Sequence, residues 1–163
     1  MSEPLPLHAN LDDIPWESTP SEGRYGSDDK IVAEHVAQQR LDLAITRLAP
    51  GKSSCPYHYH HAGEELFFVL EGTGQVRLGG KTYPLRPHDV ISCPPGPEGA
   101  HQIINTGDQP LVYMAISTND DVEIAEYPDS GKVMSYVRRG GERMLGHVSR
   151  RADAVPYMDG EPV

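Results

Sequence analysis

Residues Cys55–Gly72 read CPYHYHHAGEELFFVLEG. The second half, ELFFVLE at Glu65–Glu71, is rich in strand-forming residues and is closed by Gly72. Side chains alternate along a strand, so Phe67 and Val69 share a face with Glu65. Leu66, Phe68 and Leu70 on the other face are equally apolar, so both faces need cover. The first half carries His58 and His60. If Ser54–His60 is a strand, these two imidazoles point the same way, and Cys55, Tyr57 and Tyr59 point the other way. The chain turns at Ala62-Gly63, and Glu64-Glu65 opens the next strand. Such a hairpin returns one carboxylate beside two imidazoles, because only one of the two glutamates can share their face. Two histidines and a carboxylate on one face, with coordination positions to spare, suit an open transition-metal site.

Working outward, the neighbouring segments are also short strands. Leu41–Leu48 (LDLAITRL) alternates before the turn Ala49-Pro50-Gly51. Gln75–Leu78 and Lys81–Leu85 flank Gly79-Gly80, a two-residue hairpin turn. Asp89–Cys93, His101–Asn105 and Leu111–Ser117 follow, with Pro94–Gly99 as a dense loop. The chain has 16 glycines and 15 prolines in 163 residues, about one residue in five, which is above ordinary usage. Helix interiors tolerate neither residue well, so a helical bundle is excluded. Short strands separated by turn residues indicate an all-β sandwich or barrel. Residues 1–30, with Trp16 and Tyr25 as anchors, read as an N-terminal arm. The barrel is expected over 31–137, with its core at 41–117, and Val122–Tyr127 and Val133–Val137 as later strands. Residues 138–163 read as a C-terminal tail, irregular from Gly140.

Lys and Arg number 14 against 24 Asp and Glu, a formal net charge of −10. Such a surface repels phosphate backbones and anionic lipid, so neither a nucleic-acid nor a membrane partner is expected. The two cysteines, Cys55 and Cys93, are too few for a disulfide scaffold and read as ordinary buried thiols. The opening residues have neither a basic n-region nor an apolar h-region, and no apolar run reaches membrane-spanning length. A cytoplasmic location is the expectation.

A further imidazole arrives with His101, in His101-x3-Asn105. It stands on a separate strand and can complete a set of three histidines and one glutamate. Asn105 lies about 13 Å further along that strand, too far to share the metal, and is expected to cap a turn. His88 also reads as a turn residue.

At this point the chain resembles the cupin superfamily, and within it small single-domain bacterial cupins of the conserved-barrel type. The first motif of that family, G-x5-H-x-H-x(3,4)-E-x6-G, corresponds here to Gly51, His58, His60, Glu65 and Gly72. The second, G-x5-P-x-G-x2-H-x3-N, runs through Pro94, Gly96, His101 and Asn105. The resemblance implies a double-stranded β-helix, or jelly-roll barrel, with His58, His60, Glu65 and His101 as metal ligands. There are departures. Six residues separate Gly51 from His58, His88 replaces the opening glycine of the second motif, and two extra residues precede His101. They reshape the loops at the pocket mouth.

Three neutral imidazoles and a carboxylate around one divalent ion leave a net charge of about +1 and two octahedral positions open. Fe, Mn, Zn, Ni and Cu all suit such ligands. The expected function is a metal-dependent enzyme on a small polar metabolite, an oxygenase or an isomerase or lyase. The alternative is a non-catalytic cupin that binds a metal or small ligand, as a sensor or carrier. Arg47, Tyr83 and Tyr113 are the candidate pocket residues for acid–base work, with no catalytic residue assigned. The apolar outer face of Glu65–Glu71 calls for cover by residues 1–30, by a second subunit or by both; a homodimer is the expectation, and a monomer with a folded-back arm the alternative.

Overall fold

A computed structural model describes residues 4–20, 22–38, 40–139 and 142–162. Thirteen strands follow one another: β1 (Glu17–Ser18), β2 (Asp28–Ile31), β3 (Leu41–Leu48), β4 (Tyr59–His60), β5 (Glu65–Glu71), β6 (Gly74–Leu78), β7 (Lys81–Leu85), β8 (Val90–Cys93), β9 (His101–Ile104), β10 (Leu111–Thr118), β11 (Val122–Tyr127), β12 (Lys132–Arg139) and β13 (Glu142–Arg150). The only helical pieces among the described residues are short 3-10 turns. No helix among them is long and apolar enough to cross a membrane.

The strands form three sheets, ordered β1-β2-β3-β10-β5-β8, β13-β12-β11-β4 and β7-β6-β9. A bridge between His58 and His101 links the second sheet to the third. The sheets do not close into one continuous barrel. Between Ser53 and His58 the expected strand gives way to irregular chain, in which Pro56 has no N–H to donate to a ladder. Regular pairing starts only at Tyr59, so the strand expected at Ser54–His60 is reduced to two residues.

The core lies inside these sheets. Leu48, Val69 and Leu111 are fully buried, and Phe67, Ile91, Ile103 and Tyr113 pack with them. Each such side chain contributes about 1.5–3 kcal/mol by leaving water. The phase read from β5 holds: Phe67 and Val69 are buried, while Leu66 remains 39% exposed. The β6–β7 hairpin turns on Gly79 (φ 54°) and Gly80 (φ 79°), both left-handed as a tight hairpin requires.

The N-terminal segment is built into the large sheet. β2 pairs with β3, and Arg47 on β3 stacks over Trp16 at 4.2 Å while binding Asp28 at 2.9 Å. It extends the sheet at its edge and leaves Leu66 uncovered. The C-terminal segment differs from expectation. Gly140 and Gly141 lie outside the described residues, but Glu142–Arg150 forms a nine-residue strand along β12. Its residues are almost all exposed on both faces, so no burial pattern in the sequence marked it.

Candidate metal centre

Backbone pairing builds the site. The N–H of His58 donates to the carbonyl of His101 at 3.1 Å, and the N–H of His101 donates back to His58 at 2.8 Å. This reciprocal pair sets the two imidazoles side by side, with ring centres 4.6 Å apart. His60, two residues on, presents its ring 5.0 Å from that of His58. The loop 61–64 then returns the chain, and Glu65 opens β5 facing the three rings.

The donor atoms converge. One ligand atom from each of His58, His60 and Glu65 lies within 4.8 Å of the others. Glu65 Oε2 is 3.0 Å from His101 Nε2 and 3.3 Å from His60 Nε2. All four residues singled out in the sequence are thus brought together. Glu64 is exposed, and His61 turns outward to pair with Glu126 at 2.9 Å.

The tautomers suit metal binding. His58 Nδ1 donates to the carbonyl of Pro56 at 2.9 Å, and His101 Nδ1 donates to that of Gly99 at 3.0 Å. Each Nδ1 therefore carries a proton, and Nε2 is the nitrogen left to serve as a metal ligand. Glu65 Oε2 is buried and has no hydrogen bond of acceptable geometry despite its two close nitrogens. An orphaned carboxylate oxygen beside two imidazole nitrogens fits a cation.

Electrostatics agree. Burial, reinforced by the His101 imidazole, lowers the pKa of His58 to about 4, so its ring is neutral at pH 7. Burial alone would raise Glu65, but His101 and His60 hold its carboxyl well below the usual range. Burial likewise opposes protonation of His60, yet Glu65 and Glu123 outweigh it and raise its pKa.

A cavity of about 180 Å³ opens on the site. His58, Glu65 and His101 line it together with Thr46, Ser54, Cys55, Phe67, Ile103, Tyr113 and Ala115. Tyr113 and Ser54 are hydrogen-bonded at 3.0 Å. Of the three candidate pocket residues only Tyr113 reaches the cavity. Arg47 points outward to Asp28, and Tyr83 is 45% exposed. Cys55 also departs from expectation. It lines the cavity, with Sγ 3.7 Å from His58 Nδ1, because the irregular chain before Tyr59 breaks the alternation. Tyr57 and Tyr59 do pack away from the site, against Ala100.

Asn105 caps a turn as expected. It donates to the carbonyls of Leu48 and Gln109, both at 2.8 Å, and accepts from Gly107 N–H at 2.9 Å. His88 sits at φ 76°, a turn conformation. Two residues near the site were not singled out. Tyr127 stacks on His58 with ring centres 5.7 Å apart. Glu123, 2% exposed, lies with Oε2 3.5 Å from His60 Nδ1. The only signal for Glu123 was an acidic residue in an apolar strand context.

Comparison with known proteins agrees with this architecture. The family model described as "Cupin domain" matches residues 44–117. A glucose-6-phosphate isomerase of Thermococcus onnurineus is 30% identical over 115 residues, covering 63% of this chain and 60% of the relative. Auxin-binding protein 1 of Arabidopsis thaliana is 31% identical over 136 residues, covering 77% and 65%. The matched region is thus less than two thirds of either relative's length. Among solved structures, that of a candidate sugar phosphate isomerase from Acidithiobacillus ferrooxidans superposes with a TM-score of 0.78 at 26% identity. The match covers 90% of this chain and 91% of that one. The sheets, the two histidine motifs and these likenesses together show that the chain contains a cupin-type domain.

Proposed function

We propose that this cupin is a metal-dependent enzyme of the isomerase or lyase type acting on a small polar metabolite. His58, His60, Glu65 and His101 would hold one divalent transition ion. The observation that carries this reading is the orphaned Oε2 of Glu65 beside the imidazoles of His60 and His101, with His58 grouped next to them, at the wall of a hydroxyl-bearing cavity. A bound divalent ion would supply Lewis acidity, polarising a carbonyl or hydroxyl oxygen of the ligand.

The remaining chemistry falls to the chain. Glu65 stays ionised, held so by two imidazoles. Burial raises the pKa of the Tyr113 hydroxyl, so it keeps its proton at neutral pH and can donate to a ligand oxygen. Ser54 orients that hydroxyl. Phe67, Ile103 and Ala115 supply the apolar wall. At about 180 Å³ the cavity is smaller than sites for drug-sized ligands, which suits a small metabolite. The isomerase names of two relatives support the reaction type.

Elemental analysis of the purified protein tests the site. The expected result is about one metal per chain, lost when His58 and His60 are both replaced by alanine. Metal-free protein even after reconstitution, or unchanged content in the double variant, would overturn the ligand set. The likeness to auxin-binding protein 1 favours a second reading, ligand binding without turnover. Incubating the metal-loaded protein with aldose–ketose pairs, phosphorylated and free, separates the two. Interconversion supports the enzyme, whereas thermal stabilisation with the sugar recovered unchanged supports the binder. The reading also includes a homodimer formed through the outer face of β5.

A further inference from the structure

The residues matched by the family model end at 117, yet β11 packs against the candidate metal centre. It pairs with β4 through Ala125–His60 and Glu126–Tyr59. We infer that Glu123 on β11 is a positioning residue for the metal centre, fixing His60 and the loop that carries the chain from His60 to Glu65. This inference rests on the metal-site reading above.

The carboxylate of Glu123 is enclosed by backbone donors. Its Oε1 accepts from the N–H of His61 at 3.1 Å, of Ala62 at 3.2 Å and of Ile124 at 2.8 Å. Its Oε2 accepts from the N–H of Gly63 at 2.6 Å and lies 3.5 Å from His60 Nδ1. One side chain thus ties down three consecutive amides of the loop and abuts one imidazole. Bonds from amides to a carboxylate are roughly twice as strong as neutral ones, and those from Gly63 and Ile124 are short.

Gly63 bears independent witness. A Cβ there would stand 2.7 Å from Glu123 Oε2, so the close approach of the carboxylate requires glycine. The arrangement has a consequence for ligation. His58 and His101 have Nδ1 fixed by backbone carbonyls of their own segments. Among the described residues no backbone carbonyl binds His60 Nδ1, and the group beside that nitrogen is the Glu123 carboxylate, 3.5 Å away. A carboxylate there orients the ring and raises its basicity as a ligand. The same strand places Tyr127 on the ring of His58. The hairpin beyond the matched residues is therefore part of the site.

Cobalt(II) is a suitable probe, since its visible bands report ligand geometry and its binding can be titrated. With Glu123→Gln the expected result is Co²⁺ affinity weakened about 10- to 100-fold, with altered visible bands. In the metal-free variant the imidazole nitrogen signals of His60 should shift in ¹⁵N NMR while those of His101 stay. Asn105→Ala, destabilised for an unrelated reason, should leave the bands and affinity unchanged. Gly63→Ala displaces the same carboxylate without changing charge, should mimic Glu123→Gln, and carries the test if that variant does not fold. Wild-type affinity and bands in both variants, or failure of both to fold, would overturn the inference. Failure of the wild-type protein to bind Co²⁺ stoichiometrically would instead overturn the metal-site reading.

Discussion

The Nδ1 atoms of His58 and His101 each meet a carbonyl within their own segment, two residues back along the chain. That local geometry decides which nitrogen faces Glu65, and it follows from the turns at Pro56 and Gly99 rather than from the histidines. Asn105 shows the same dependence. It is fully buried, and its amide satisfies the buried carbonyl of Leu48 and also binds that of Gln109. Asn105→Ala strands the Leu48 carbonyl, so urea unfolding should show a loss of about 1–3 kcal/mol, with metal content unchanged. The candidate ligand histidines and Asn105 were legible because motif spacing selects them. Glu123 was not, because its partners are amides some 60 positions earlier in the chain.

At the scale of elements, alternation worked where one face meets the core and failed where it does not. β5 and β10 have a buried face, and their strands were readable. β13 is exposed on both faces and, among the described residues, pairs only with β12, so nothing in its side chains signalled a strand. Its backbone hydrogen bonds are correspondingly unprotected. Hydrogen exchange should therefore be fast in β13 and slow in β5 and β10. Equal protection would show that β13 is covered by something further. The β6–β7 turn makes a second claim at this scale. Gly80 has open space around it but a φ of 79°, so the cost of a side chain is conformational. Gly80→Ala should lower stability by about 1–2 kcal/mol in a thermal melt, with no change in metal content.

For the whole molecule, the large sheet has β1 and β2 added at one edge, and its outer face keeps Leu66 at 39% and Val90 at 59% exposure. Val90 lies opposite Phe68, and Leu66, two residues from Phe68 on the same face of β5, lies opposite Ser92. The proposed dimer would cover them. Light scattering at high micromolar concentration should give twice the chain mass, and Leu66→Glu should shift it toward one chain. A wild-type monomer would contradict the two-sided reading of β5.

The sequence by itself determined the all-β architecture, the phase of β5 and the residues that meet at Glu65. These follow from strand alternation, turn chemistry and motif spacing, all of them local or nearly so. Tertiary structure alone decided that Cys55 and Tyr113 enter the cavity while Arg47 leaves it for Asp28. It also decided that the sheets stay open around the His58–His101 bridge, and that Glu123 reaches the loop after His60. Those outcomes depend on which distant segments pack together, and packing between distant segments leaves no periodic trace along the chain.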